Sequence, residues 1–153
     1  MVYEDICNFG MDQLVITQYK KILKILQENS NILILKIPIE KVKSKEETER
    51  EELQTKTCLI FKKLEKFFLE SRLCRKNGTI IKREKGKKGY YMTDNWYLYK
   101  YNKDVRKVLQ EYPNIYAFAD WIDLCFVSEN KIILQTIAHE GMCFGSAELF
   151  RDI

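Results

Sequence analysis

With 153 residues, 46% of them apolar and 12% aromatic, the chain can bury a core without staples, which argues against a disordered tract. The net charge of +4 is modest, and no apolar run approaches the ~20 residues needed to cross a bilayer. Cys7, Cys58, Cys74, Cys125 and Cys143 are odd in number and widely spaced, which argues against a disulfide framework or a CxxC zinc site and for reduced, mostly buried thiols.

The opening segment "MVYEDICNFG" is acidic and lacks the apolar region of a secretory signal, so a soluble, cytoplasmic protein is expected. Residues 13–28 place Val15, Tyr19, Ile22, Leu23 and Leu26 at helical spacing. Asp12 is the expected N-cap, and "NSN" at 29–31 the stop. "ILILKIPI" at 32–39 is β-branched and apolar, which predicts a buried strand. Pro38 lacks an N–H, so it belongs at that strand's end or on an edge.

Ser44 and Glu47 form a possible capping box, from which a long helix is expected to run to about Leu73. Its stripe would be Leu53, Thr57, Ile60, Phe61, Leu64, Phe67 and Phe68. Asn77-Gly78 signals a turn, "TIIKRE" a strand, "KGKKG" a further turn and "YYMTDNWYLYKY" one or two strands. Strand alternation assigns one set from this last run to the core: either Trp96 and Leu98, or Tyr97, Tyr99 and Tyr101. Asn102 can cap a short helix at 103–112, before Pro113. "IDLCFV" (122–127) and "IILQTIA" (132–138) flank a polar loop and predict a hairpin. The expected fold is a single α+β domain over 1–153. An antiparallel sheet of about four to six strands packs against one long and one or two shorter helices.

Three groups of residues bear on chemistry. His139-Glu140 with Cys143 is a near miss of a His-Glu-x-x-His metal motif. Gly141 and Gly145 disfavour a helix there, and the chain holds one histidine, so no metal is expected. If the hairpin turns at Glu129-Asn130 and its register runs unbroken, Asp120 faces His139. An Asp–His pair near Cys125 or Cys143 would be the skeleton of a small hydrolase, whereas the plainer expectation is a histidine fixed at a sheet end.

The second group is basic and aromatic. Residues 75–103 hold nine Lys/Arg against Glu84 and Asp94, whereas 104–153 hold four basic and eight acidic residues. Lys82, Arg83, Lys85, Lys87, Lys88, Tyr90, Tyr91 and Trp96 are the expected partner contacts. They suit a protein interface, or a nucleic-acid surface as the alternative. The third group, Asp120, Asp123, Glu129 and Glu140, has no fixed spacing for a cation. No P-loop, dinucleotide-binding glycine motif or nucleophile elbow occurs, and no cofactor is expected.

Lysine- and isoleucine-rich usage suits a low-GC bacterium, a phage or a mobile element. The leading expectation is a small intracellular interaction protein of inhibitor or immunity type that blocks a macromolecular partner.

Overall fold

A computed structural model gives the architecture; the structure describes residues 3–39, 59–75, 93–118 and 122–153. In chain order the elements are β1 (Glu4–Asp5), β2 (Phe9–Gly10), α1 (Leu14–Thr17), α2 (Tyr19–Asn29), β3 (Ile32–Ile39), α3 (Leu59–Leu64) and β4 (Phe68–Arg75). Then follow β5 (Thr93–Lys100), α4 (Lys103–Leu109), β6 (Asp123–Ser128), β7 (Lys131–Ile137), β8 (Met142–Gly145) and α5 (Ala147–Phe150).

The fold is α+β, as expected, but the sheet has eight strands among the described residues, more than the four to six expected. The order is β2-β8-β7-β6-β3-β5-β4. All pairings on that path are antiparallel, and β1 joins β7 in parallel at Lys131 and Ile132. β8 covers β7 only from Leu134 to Ile137, so β1 and β8 share one side of that strand end to end.

Val15, Tyr19, Ile22, Leu23 and Leu26 are all buried, as their spacing predicts. The helix is broken at Gln18, whose φ of −122° and ψ of 29° separate α1 from α2. Asp12 does not cap it: Gln13 holds the N-cap position, and Asp12 Oδ1 accepts a 2.7 Å bond from the Cys143 N–H. A side chain suited to capping is instead used to fasten β8.

β3 lies in the middle of the sheet between β5 and β6. Pro38 pairs with Asp94 of β5, whereas the β6 ladder ends at Lys36 opposite Asp123. The proline therefore sits near the strand's end, beyond the last β6 partner.

No long helix stands out among the described residues. α3 ends at Leu64, a 3₁₀ turn spans Glu65–Phe67, and Phe68–Arg75 is β4. The stripe does bury Ile60, Phe61 and Leu64, but Phe68 is exposed and its ring meets Tyr99 edge-on at 5.7 Å. Helical periodicity loses there because the outer backbone groups of β5 need partners and β4 supplies them. The capping box at Ser44 and Glu47, Leu53, Thr57, the Asn77-Gly78 turn and "TIIKRE" lie outside the described residues.

Asn102 caps α4, its Oδ1 accepting from the Val105 N–H at 3.0 Å. The β6–β7 hairpin turns at Glu129-Asn130, whose φ angles of 49° and 68° are those of a type I′ turn. The next turn is a 3₁₀ segment, Ala138–Glu140, closed by Gly141 at φ +63°. It leads into β8, which the sequence reading left unassigned.

Both alternating sets of β5 are buried, because both sheet faces are covered. On the first face a cluster of twenty-five buried residues joins α1–α5 to Leu33, Leu35, Tyr97, Tyr99, Tyr101, Leu124 and Phe126. Its phenols keep their hydrogen bonds. Tyr19 Oη donates to the Leu109 carbonyl at 2.6 Å, and Tyr101 Oη donates to the Leu23 carbonyl at 2.7 Å. On the second face a smaller cluster gathers Tyr3, Ile34, Cys74, Trp96, Leu98, Cys125, Val127 and Ile132. No described helix is long and apolar enough to cross a membrane.

Candidate functional site

The catalytic expectation depends on one register. Val127 does face Ile132, as an Glu129-Asn130 turn requires, but a bulge follows between Phe126 and Val127. Cys125 then faces Gln135 rather than Leu134. Ile133 and Leu134 both enter the first-face cluster, as in a bulge that turns adjacent side chains to one side. The one-residue slip removes the register that set Asp120 against His139. Asp120 itself lies outside the described residues.

The described candidates do not come together. Cys125 faces Gln135 and Cys143 faces Thr136, so the two thiols lie on opposite sides of the sheet. Each is fully buried. Burial pushes both thiols up from their ordinary pKa; Asp12 adds to the rise at Cys143, and Lys36 opposes it at Cys125. A nucleophilic cysteine needs the reverse shift and access to solvent.

His139 sits in the exposed 3₁₀ turn, its Nε2 3.6 Å from Glu140 and its side chain 63% exposed. The turn is tied down by Asp123, whose Oδ1 accepts from the Ala138 N–H at 2.7 Å. A carboxylate does fix this sheet end, but through the backbone rather than the imidazole. Among the described residues no three His, Cys, Asp or Glu side chains gather around a possible metal position.

Of the expected partner contacts, Trp96 has no exposed surface and is a core residue of the second face. Lys82, Arg83, Lys85, Lys87, Lys88, Tyr90 and Tyr91 lie outside the described residues. The residues that bracket them, Arg75 and Thr93, face one another in register. That pair lies at the sheet end away from the Glu129-Asn130 turn.

The second face carries a feature that sequence did not point to. Asp123, Lys36, Trp96 and Arg72 stand in one row across β6, β3, β5 and β4. Lys36 is buried, with its amine 4.4 Å from the centre of the Trp96 ring. Beyond that row, toward the Glu129-Asn130 turn, lies a cleft of about 430 Å³. Its floor is Ile32, Leu98 and Val127, and Tyr3 walls one side. Leu69, Glu70 and Arg72 of β4 wall the other, with Glu70 and Arg72 joined as an ion pair. Asn31, Glu129 and Asn130 stand at the mouth.

Leu69 is 54% exposed, while Tyr3 is only 7% exposed and tilts against Trp96 at 5.6 Å between ring centres. An apolar floor, an aromatic wall and a charged rim match the anatomy of a binding surface more than that of a reaction centre. Sequence could have found one wall of it. "FLESRLCR" carries two adjacent apolar residues before a Glu–Arg alternation, a signal that the helical reading absorbed. No protein-family model matches the chain, and no curated protein or solved structure matches it significantly.

Proposed function

We propose that this is a small interaction protein that binds and blocks a macromolecular partner, an inhibitor or immunity-type protein of a bacterium, phage or mobile element, acting in the cytoplasm. The observation that carries the reading is the second-face cleft, where exposed Leu69 stands over an aliphatic floor beside Tyr3 and the Glu70–Arg72 pair. An apolar side chain of a protein partner would seat there, surrounded by a polar rim that excludes water. The charge pattern adds support. The cations of 75–103 would steer an acidic surface toward the molecule, with Lys82, Arg83, Lys85, Lys87, Lys88, Tyr90 and Tyr91 as its contacts.

The experiment is reconstitution. A protein captured by the tagged full chain is purified, and its own activity is measured with and without the chain. Stoichiometric inhibition that Leu69→Asp abolishes, with an unchanged far-ultraviolet spectrum, is the expected result. Leu69 is exposed enough for that change to leave folding intact. Recovery of nucleic acid instead, with affinity falling steeply as salt rises, would replace this reading with direct nucleic-acid binding through 75–101.

A further inference from the structure

Among the described residues the two sheet faces are closed by unequal means, and the lighter covering is the strap formed by residues 3–7. Few bonds among the described residues join it to the sheet. The Glu4 N–H donates to the Asn130 carbonyl at 2.7 Å, and Gln135 Nε2 donates to Asp5 Oδ2 at 2.8 Å. Cys7 Sγ donates a weak 3.3 Å bond to the Ile132 carbonyl. The β1 ladder is two residues long and parallel. Glu4 and Asp5 are exposed, and the apolar hold rests on Tyr3 and half-buried Cys7 on the second face, with half-buried Ile6 against the edge of the first-face core.

From Asn8 onward the chain is fastened much more closely. Asn8 Oδ1 accepts from the Ala147 N–H at 3.0 Å, and β2 pairs with β8. The Met11 N–H donates to the Cys143 carbonyl at 2.9 Å, while Asp12 receives the Cys143 N–H at 2.7 Å. The change from loose to tight attachment therefore falls at Cys7–Asn8.

We propose that residues 3–7 form a lid that opens locally, hinged at Cys7–Asn8, while the rest of the fold stays closed. Opening withdraws Tyr3 from Trp96 and removes one wall of the cleft. It also bares the second-face cluster of Ile34, Leu98, Cys125, Val127 and Ile132. The closed cleft is the small remnant of a larger apolar surface. Segments with short ladders and little buried area open at a small fraction of the global unfolding free energy. The inference stands whether or not a partner uses that surface.

Cysteines already in the chain report the motion. Cys7 rides on the lid, Cys125 lies in the cluster that the lid helps cover, and Cys143 is buried on the first face. The full chain is alkylated with iodoacetamide in native buffer, and each cysteine is followed by mass spectrometry. Cys7 is expected to react at least about a hundredfold faster than Cys143, because only Cys143 waits for global unfolding. Tyr3→Ala weakens the closed state relative to every open one, so it should speed Cys7 and Cys125 by about tenfold or more and leave Cys7 still at least about a hundredfold ahead of Cys143.

Glu4→Pro, which deletes the N–H given to Asn130, should act in the same direction without touching the apolar contact. Ile22→Val, in the first-face core, should accelerate Cys143 alone. Cys7 and Cys143 reacting in step, or both accelerating equally in Ile22→Val, would make the strap part of the global unit and overturn the proposal. So would a Cys7 rate that neither Tyr3→Ala nor Glu4→Pro changes, since the thiol would then be reached from a static surface.

Discussion

Individual residues on the two faces of the sheet are equally dry: Leu23 and Phe126 on one side and Trp96 and Cys125 on the other have no exposed surface. What differs is the covering. Among the described residues the first face is held by α1–α5 around twenty-five buried side chains, and two phenols tie α2 to α4 and to Tyr101, the residue after β5. Among the described residues the second holds eight, with the strap as part of its cover. Depth of burial therefore does not measure how firmly a surface is closed. The number of bonds and side chains that must be released together does.

The comparison can be broken most forcefully at Phe126, which meets Tyr101 edge-on at 5.0 Å on the first face. Phe126→Ala should cost about 3–5 kcal/mol in urea unfolding and accelerate alkylation of Cys143 far more than that of Cys7. A loss confined to one region would show that the first face is not a single cooperative unit.

The next effect is alkaline. Folding raises the pKa of the Cys143 thiol through burial first, with Asp12 contributing. Its stabilising contribution is complete below the unfolded thiol pKa, which is near 9.0, and is lost as pH rises above it, because only the unfolded chain then releases the proton. Stability measured from pH 8 to 11 should fall, and Cys143→Ala should remove about one proton, or about 1.4 kcal/mol per pH unit, from that slope. Cys7 is also raised by burial and by Asp5. Cys7→Ala should remove less of the slope, because its thiol can ionise once the strap lifts while the rest of the fold stays closed.

Lys36→Met gives a smaller effect. Replacing a buried amine by an apolar chain of similar length loses the Trp96 contact and relieves desolvation, so stability should change by less than about 1 kcal/mol. A larger loss would identify the amine as a structural member of the second face. Smallest of all is the turn. Glu129→Asn with Asn130→Gly fits the two positive φ angles better and should add about 0.5–1 kcal/mol in the same assay.

The legible parts of the fold were those in which local pattern and tertiary role agree. The stripe of α2, the limits of β3, the Asn102 cap and the β6–β7 turn all belong to that class. Phe68–Arg75 was misread because its apolar spacing also fits a helix, and only the open side of β5 decides between them. The bulge beside Phe126 left no local mark, yet its single extra residue undid the Asp120–His139 register. The cleft was largely illegible: Tyr3, Ile32, Leu69 and Leu98 come from four separate segments, and nothing in any one of them announces the others. The charge polarity of 75–103 was plain in the sequence, whereas the burial of Trp96 depended on what covers β5.

The shared side of β7 has a practical consequence for handling the protein. β8 pairs with Leu134–Ile137, and β1 pairs with Lys131 and Ile132. Deleting residues 1–7 would leave the start of β7 with unsatisfied hydrogen-bonding groups beside Val127 and Ile132. Such a bare strand end is a template on which another molecule can add its own strand. The shortened chain should fold, yet associate and precipitate as its concentration rises. The seven residues that appear most dispensable would then be the ones that keep it soluble.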